Sequence, residues 1–426
     1  MHADLVRALP KPVCAYIYDT AALRARASAV RASLPASASL LYAVKANGHP
    51  AVVSRMAAAC DGLEVASGGE LDLALAAGAR RIVFGGPGKT DAELAAAIRA
   101  GVLINAESQH ELHRLAALGD NPAVCLRVNR PGGGLHGSHA MTGTPTPFGI
   151  DEAQLAEAMR IPGVRVIGFH LHAVSNNMDG AAHAAFVTES LDWSLRTAAA
   201  HTIDLSVVNV GGGFGINYLH PGNTGADGNR SGRGSDGEAS HGGGGSNGEA
   251  DHGGGSTNGG GDRGGEADRS GDQVGLADMD LAPLAGVTVP DGVDLIFEPG
   301  RYLAADAGWY AAEVLDIKTT HGRTFAVLRG GTHHFRLPAA WGYSHPFTVV
   351  PVDEWPHPYP RPQARDTTVD AVGELCTPRD VLTRGQHVDL LRAGDILVFG
   401  RTGAYGWDIS HHEFLRHEPP QFVILE

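Results

Sequence analysis

Short apolar runs alternate with alanine-rich amphipathic stretches from about residue 36 to residue 300. Leu40-Leu41-Tyr42-Ala43-Val44 reads as a buried strand, ended by Lys45 and a small-residue turn. The run Ile82-Val83-Phe84 follows a helix predicted over 69–77, and the run over 102–105 follows one predicted over 91–99. Further apolar runs at 124–128, 164–169, 205–210 and 295–297 continue the series. Repeated β-then-α units predict a parallel sheet with helices outside, and about eight of them predict a closed α/β (β/α)8 barrel. From about residue 301 the pattern changes. The runs 314–317, 324–328, 347–350 and 395–399 read as strands between Pro/Gly turns, which predicts a mostly β C-terminal domain over 301–426. Its first strand is predicted at 13–18, so the N-terminal segment 1–35 would contribute to it across the whole length of the barrel.

Residues 221–275 break both patterns. About 20 of these 55 residues are Gly, with Ser, Asn, Asp and Glu filling most of the rest. Such a segment buries too little apolar surface to offset its ordering entropy and is expected to be a disordered insertion in the barrel. It holds nine acids and four bases, so it carries −5 of the formal charge of −14. That negative balance argues against nonspecific binding to nucleic acid or anionic membranes. The 426 residues, 43% hydrophobic, suffice for one or two domains. No run approaches the length of a membrane span, and Met1-His2-Ala3-Asp4 does not open like a signal peptide. Cys14, Cys60, Cys125 and Cys376 are scattered without a CxxC pair, so no metal site or disulfide framework is expected and a reduced cytoplasm is the default.

The candidate chemistry gathers at predicted strand ends, where a barrel builds its active site. A lysine desolvated at a strand end, as Lys45 would be, can lose its proton and attack a carbonyl. His170, His172 and Ser175 end a second strand. Gly211-Gly212-Gly213 forms a glycine turn suited to presenting backbone N–H groups to a phosphate. Glu298-Pro299-Gly300-Arg301 places an acid at another strand end. In the β domain, Cys376 stands near Glu374 and Asp380, and Tyr405 lies in the tight turn Gly403-Ala404-Tyr405-Gly406.

Together, in this order, the motifs resemble the fold-type III pyridoxal-phosphate decarboxylases, the group of the diaminopimelate and ornithine decarboxylases. The resemblance covers nearly the whole chain outside the glycine-rich insertion. It implies that Lys45 holds pyridoxal 5'-phosphate as an imine, that His172 stacks on the cofactor ring, and that Glu298 pairs with the pyridine nitrogen. Ser175, Gly211, Gly212, Gly213, Gly300, Arg301 and Tyr405 would form the phosphate cup. Arg127 matches a barrel arginine beside the cofactor, and a purely structural role for it is equally compatible. The family also implies loss of the α-carboxylate as CO2, reprotonation by Cys376, and a head-to-tail homodimer in which the loop carrying Cys376 and Asp380 reaches the partner's site.

Three departures bear on the substrate. Thr377 replaces the acid that follows the motif cysteine and binds a distal ammonium in those two families. A neutral hydroxyl there would cost a distal cation about 1–3 kcal/mol. Arg336, in Thr332-His333-His334-Phe335-Arg336, stands where diaminopimelate decarboxylases bind a distal carboxylate, and with His333, His334 and His345 it suggests an anionic substrate. Glu64 stands where those families carry Asp. These features look most like decarboxylases of siderophore-precursor pathways, which act on amino acids amide-linked to a carboxyl-rich partner such as citrate. Diaminopimelate decarboxylation and decarboxylation of a carrier-bound aminoacyl group are the alternatives within the fold. A racemase fits less well, because racemases lack the Cys376 loop. A catalytically silent regulatory homologue would typically have lost Lys45, the glycine turn or Cys376.

Overall fold

The computed structural model describes residues 3–132, 135–219 and 277–426, and the glycine-rich insertion predicted over 221–275 lies outside them. Eight strands pair in parallel, each with the next: Ser39–Ala43, Gly62–Val65, Ile82–Phe84, Leu103–Ala106, Ala123–Asn129, Arg165–His170, Val207–Asn209 and Asp294–Phe297. The last pairs with the first and closes the barrel.

Side chains alternate across each strand. Leu41, Val83, Cys125, Val207 and Ile296 pack together inside the barrel, joined by the half-buried Leu103. Two residues further along the same faces, at the C-terminal mouth, the chain becomes polar at Asn105, Arg127, Asn209 and Glu298. The opposite faces, including Tyr42, Leu63, Phe84, Leu126, Phe169 and Phe297, pack against the outer helices in the main core. Those helices start where the sequence caps them. Ser67 accepts the Glu70 N–H ahead of Gly68–Ala76, and Thr90 with Glu93 makes a reciprocal capping box on Asp91–Arg99.

In the mostly β second domain the 13-residue strand Gly308–Thr320 is central. It pairs antiparallel with Cys14–Asp19, Arg323–Leu328 and Ile396–Phe399. Cys14–Asp19 also pairs with Gln421–Leu425, so the two ends of the chain meet in one sheet. Gln363–Val372 and Val381–Arg392, a long antiparallel pair, carry too many polar and charged positions to have been read as strands from apolar runs. The segment 400–412 descends to the barrel mouth. Asn47 Nδ2 donates to Gly403 O at 2.9 Å, Tyr405 N–H to Ala46 O at 2.7 Å, and Gly48 N–H to Asp408 Oδ1 at 2.7 Å. Among the described residues no helix is long and apolar enough to cross a membrane.

Candidate active site

Lys45 lies in the short 3-10 turn Val44–Ala46 that follows Ser39–Ala43, one step beyond the predicted strand end. Its Nζ donates to Glu64 Oε2 at 2.6 Å. Desolvation in the mouth opposes its charge, but Glu64, with Tyr405 and Glu298, outweighs it and holds the ammonium above its ordinary value. Nearly half of the side-chain surface (47%) still opens to the mouth, so solvent weakens this pair relative to a sealed one.

Opposite, Asn209 Nδ2 donates to Glu298 Oε1 at 2.6 Å, while Asn209 Oδ1 accepts the Gly211 N–H at 2.9 Å. One amide therefore orients the carboxylate and starts the glycine turn. His170 Nε2 stands 3.7 Å from Glu298 Oε2, and its ring lies roughly parallel to that of His172 with centroids 6.3 Å apart. Burial holds both imidazoles well below the ordinary histidine range, hence uncharged. Burial, then Glu64, pushes the Glu298 carboxyl up to about 7, against the lowering pull of Lys45, Asn209 and Arg127. Arg127 Nη1 donates to Glu107 Oε1 at 2.8 Å.

The glycines are required by close approach. Gly211 has φ +68, and a Cβ there would lie 2.3 Å from His172 Nδ1. A Cβ on Gly300 would lie 2.7 Å from Ala46 Cβ, which would push the Glu298 turn away from the Lys45 turn. Among the described residues the N–H groups of Gly212 and Gly213 donate no hydrogen bond. Buried His170 and Arg127 Nε likewise lack partners there. An amine, a near-neutral carboxyl, a glycine turn with free N–H groups and unpartnered polar atoms around one mouth fit an aromatic aldehyde phosphate in both charge and shape.

The structure brings Lys45, His172, Gly211, Gly212, Gly213, Glu298 and Gly300 together at this mouth. Tyr405 joins them through its backbone bond to Ala46 and a left-handed φ of +53. Ser175, half-buried, pairs across from His139 beside the mouth. Three expectations need correction. The Arg301 guanidinium is turned to Tyr218, donating to its Oη at 2.6 Å, and packs over the Trp341 and Tyr405 rings at 3.9 and 4.3 Å from their centroids, so it meets the cup by stacking on Tyr405 and is not open to a phosphate. Asp380 is buried, and its carboxylate accepts the Thr332 N–H at 2.6 Å and the Leu375 N–H at 2.9 Å, which leaves it no surface for a substrate. His333, His334 and His345 are buried as well, with His345 held between Tyr343 and Gly400 O, so they do not share the exposure of Arg336. Cys376 is exposed and Thr377 half-buried on the second domain, and no bond or ion pair among the described residues links them to Lys45.

Sequence reasoning gave no role to Asn209 or Glu374, and it noted Glu64 only as a departure from the family's Asp, not as the partner of Lys45. Asn209 could have been found as an amide continuing an inward-facing apolar position, two residues before a glycine with a constrained backbone.

Residues 20–226 match the family described as pyridoxal-dependent decarboxylase, pyridoxal binding domain. Over 432 aligned residues the chain is 35% identical to 2-((L-alanin-3-ylcarbamoyl)methyl)-2-hydroxybutanedioate decarboxylase of Staphylococcus aureus, covering 99% of this chain and 96% of that protein. It is 32% identical over 419 residues to the diaminopimelate decarboxylase of Deinococcus radiodurans, covering 96% and 89%. The fold is shared with Helicobacter pylori diaminopimelate decarboxylase complexed with L-lysine, with a TM-score of 0.76, 20% identity and coverage of 99% and 93%.

Proposed function

The chain belongs to the pyridoxal-dependent decarboxylases, and from that premise we propose that it removes the α-carboxylate of an amino acid amide-linked to a carboxylate-rich partner, of the citryl-diaminopropionate type. The observation that carries this reading is Arg336, an exposed guanidinium without an ion pair among the described residues. Its backbone N–H donates to Ser410 Oγ at 3.0 Å, within the segment that brings Tyr405 to Lys45. A free guanidinium there favours a carboxylate tail, and Thr377 offers no charge to a distal ammonium. The Staphylococcus aureus relative is named for a substrate of this kind, a citrate amide carrying an amino acid.

In this reading Lys45 is the amine that holds the cofactor, and Glu64 Oε2, already on its Nζ, takes the proton that must leave before nitrogen can act as a nucleophile. Gly211 to Gly213, the Gly300–Arg301 backbone, Ser175 and Tyr405 would hold the phosphate. His172 would lie against the ring, and Glu298, oriented by Asn209, would keep a proton on the pyridine nitrogen. Pyridoxal phosphate, when bound, supplies the electron sink for the pair left by departing CO2. The neutral imidazoles of His170 and His172 would add no positive charge to oppose a protonated ring. Cys376 returns a proton to the substrate α-carbon from its Sγ.

Because Cys376 is exposed on the second domain, we place it in the site of a second copy. Phe414 and Leu415 expose large apolar side chains at a turn where Leu415 has φ +58, close to His417, which contacts the Cys376 loop. Apolar surface held open by a strained turn supports a partner face. Mixing inactive Lys45→Ala with inactive Cys376→Ala subunits should then restore up to about a quarter of wild-type activity, since half of the dimers would hold one intact site. No recovery despite demonstrated subunit exchange would place each site within one chain.

The substrate reading is tested by CO2 release from the cofactor-supplied protein. Citryl-diaminopropionate should be preferred over diaminopimelate by at least about tenfold in kcat/KM. Arg336→Ala should raise KM for the citryl compound with little change in kcat. A preference for diaminopimelate would overturn the role given to Thr377 and Arg336.

A further inference from the structure

The loop 373–380, which carries Cys376, is anchored at both ends to the turn 330–334. At one end Asp380 closes it: beyond its bonds to Thr332 and Leu375, the Gly373 N–H donates to Asp380 O at 2.9 Å. The contact is tight enough that a Cβ on Gly373 would lie 2.1 Å from Asp380 Oδ2. At the other end stands Glu374. Its N–H donates to Gly330 O at 2.9 Å, and its Oε1 accepts the Gly330 N–H at 2.9 Å together with the Arg329 guanidinium. His333 Nε2 and His417 Nδ1 each stand 3.6 Å from the same oxygen. Burial opposes a charge on Glu374, but His333, the Gly330 N–H and Arg329 hold its carboxyl below the ordinary range, so it is ionised.

We propose that Glu374 is a positioning residue for the reaction: by binding Arg329 and the Gly330 turn, it fixes the loop so that Cys376 projects at a set place two residues further on. This rests on the reading that Cys376 is the proton donor. An ionised carboxylate bonded to a guanidinium and a backbone N–H is a strong and geometrically narrow anchor, and a donor displaced by an ångström loses much of its rate. His333, Glu374 and His417 also have ligand atoms within 4.8 Å of one another, a spacing that would suit a divalent cation. Arg329 already places a fixed positive charge on the shared oxygen, and a second cation there would be repelled. The cluster is therefore assigned to holding the loop.

The test compares Glu374→Gln, Arg329→Gln and the double variant with wild type, reading kcat, KM, cofactor absorbance and the rate of Cys376 alkylation by iodoacetamide. Each single variant should lower kcat about tenfold with KM and absorbance unchanged, and should alter the alkylation rate at least threefold. The double variant should be no worse than either single one, because both remove the same contact. Unchanged kcat and alkylation in both single variants, with Cys376→Ala strongly impaired, would overturn the positioning role alone. A Cys376→Ala protein of normal kcat would overturn the donor reading on which it rests. One tightly bound zinc in wild type, lost in His333→Ala, would overturn it in favour of a metal site.

Discussion

Lys45→Ala should lower kcat by about a thousand-fold or more and remove both the visible absorbance of the cofactor-supplied protein and its borohydride-trapped adduct. The chain has four lysines, Lys11, Lys45, Lys89 and Lys318. Lys11 and Lys318 are exposed, the latter on the second domain's central strand. Lys89 lies near the barrel mouth but is buried and fully committed: its Nζ donates to Gly86 O at 2.6 Å, Asn105 O at 3.0 Å and Glu111 Oε1 at 2.7 Å. An ammonium has three protons to give, so Lys89 has none left, and freeing it would strand Glu111 as a buried unpaired charge. Lys45 has one bonded partner and an open side. Mass spectrometry of the trapped adduct decides the matter. An adduct on Lys89 would sink the assignment, whereas an adduct on Lys45 lost in the alanine variant would support it.

Much of the barrel and its mouth was legible because one rule governs both. Inward-facing positions run apolar along each strand and turn polar at its C-terminal end, so Lys45, His172 and Glu298 stood out as charged or polar groups ending buried runs. The β domain was less legible for the same reason. Gln363–Val372 and Val381–Arg392 expose much of their length and mix Thr, Asp and Arg among apolar residues, so no apolar run announces them. The misread side chains share another cause. Asp380 and His345 have polar atoms that look free in sequence but are consumed by backbone partners 48 and 55 residues away, contacts that no local pattern encodes. Arg301 was assigned by motif position to a phosphate, and only the fold shows Tyr218, from beyond the glycine turn, occupying its guanidinium.

Glu298→Gln should separate stability from chemistry at one atom. In the cofactor-free protein burial, and secondly the nearby Glu64, pushes the Glu298 carboxyl from its ordinary value of about 4.5 up to about 7. A raised acid pKa means that the folded state binds the proton more tightly than the unfolded one. Stability is therefore lost as pH rises from about 4.5 through about 7, by a few kcal/mol at most. Glutamine keeps the shape and can still accept from Asn209 Nδ2 while carrying no charge. The cofactor-free variant should consequently melt higher than wild type at pH 8, and most of the advantage should be gone at pH 5, where the folded wild-type carboxyl is already protonated. Catalysis should move the other way. A neutral amide cannot hold a proton on the pyridine nitrogen as an anion does, so the cofactor-supplied variant should lose about a hundred-fold or more in kcat. Asn209→Ala, which leaves the charge but removes its orientation, should cost less. If Glu298→Gln kept kcat within threefold of wild type, Glu298 would not be the partner of the ring nitrogen. If its melting advantage persisted unchanged at pH 5, the raised carboxyl would not be the source of the pH dependence.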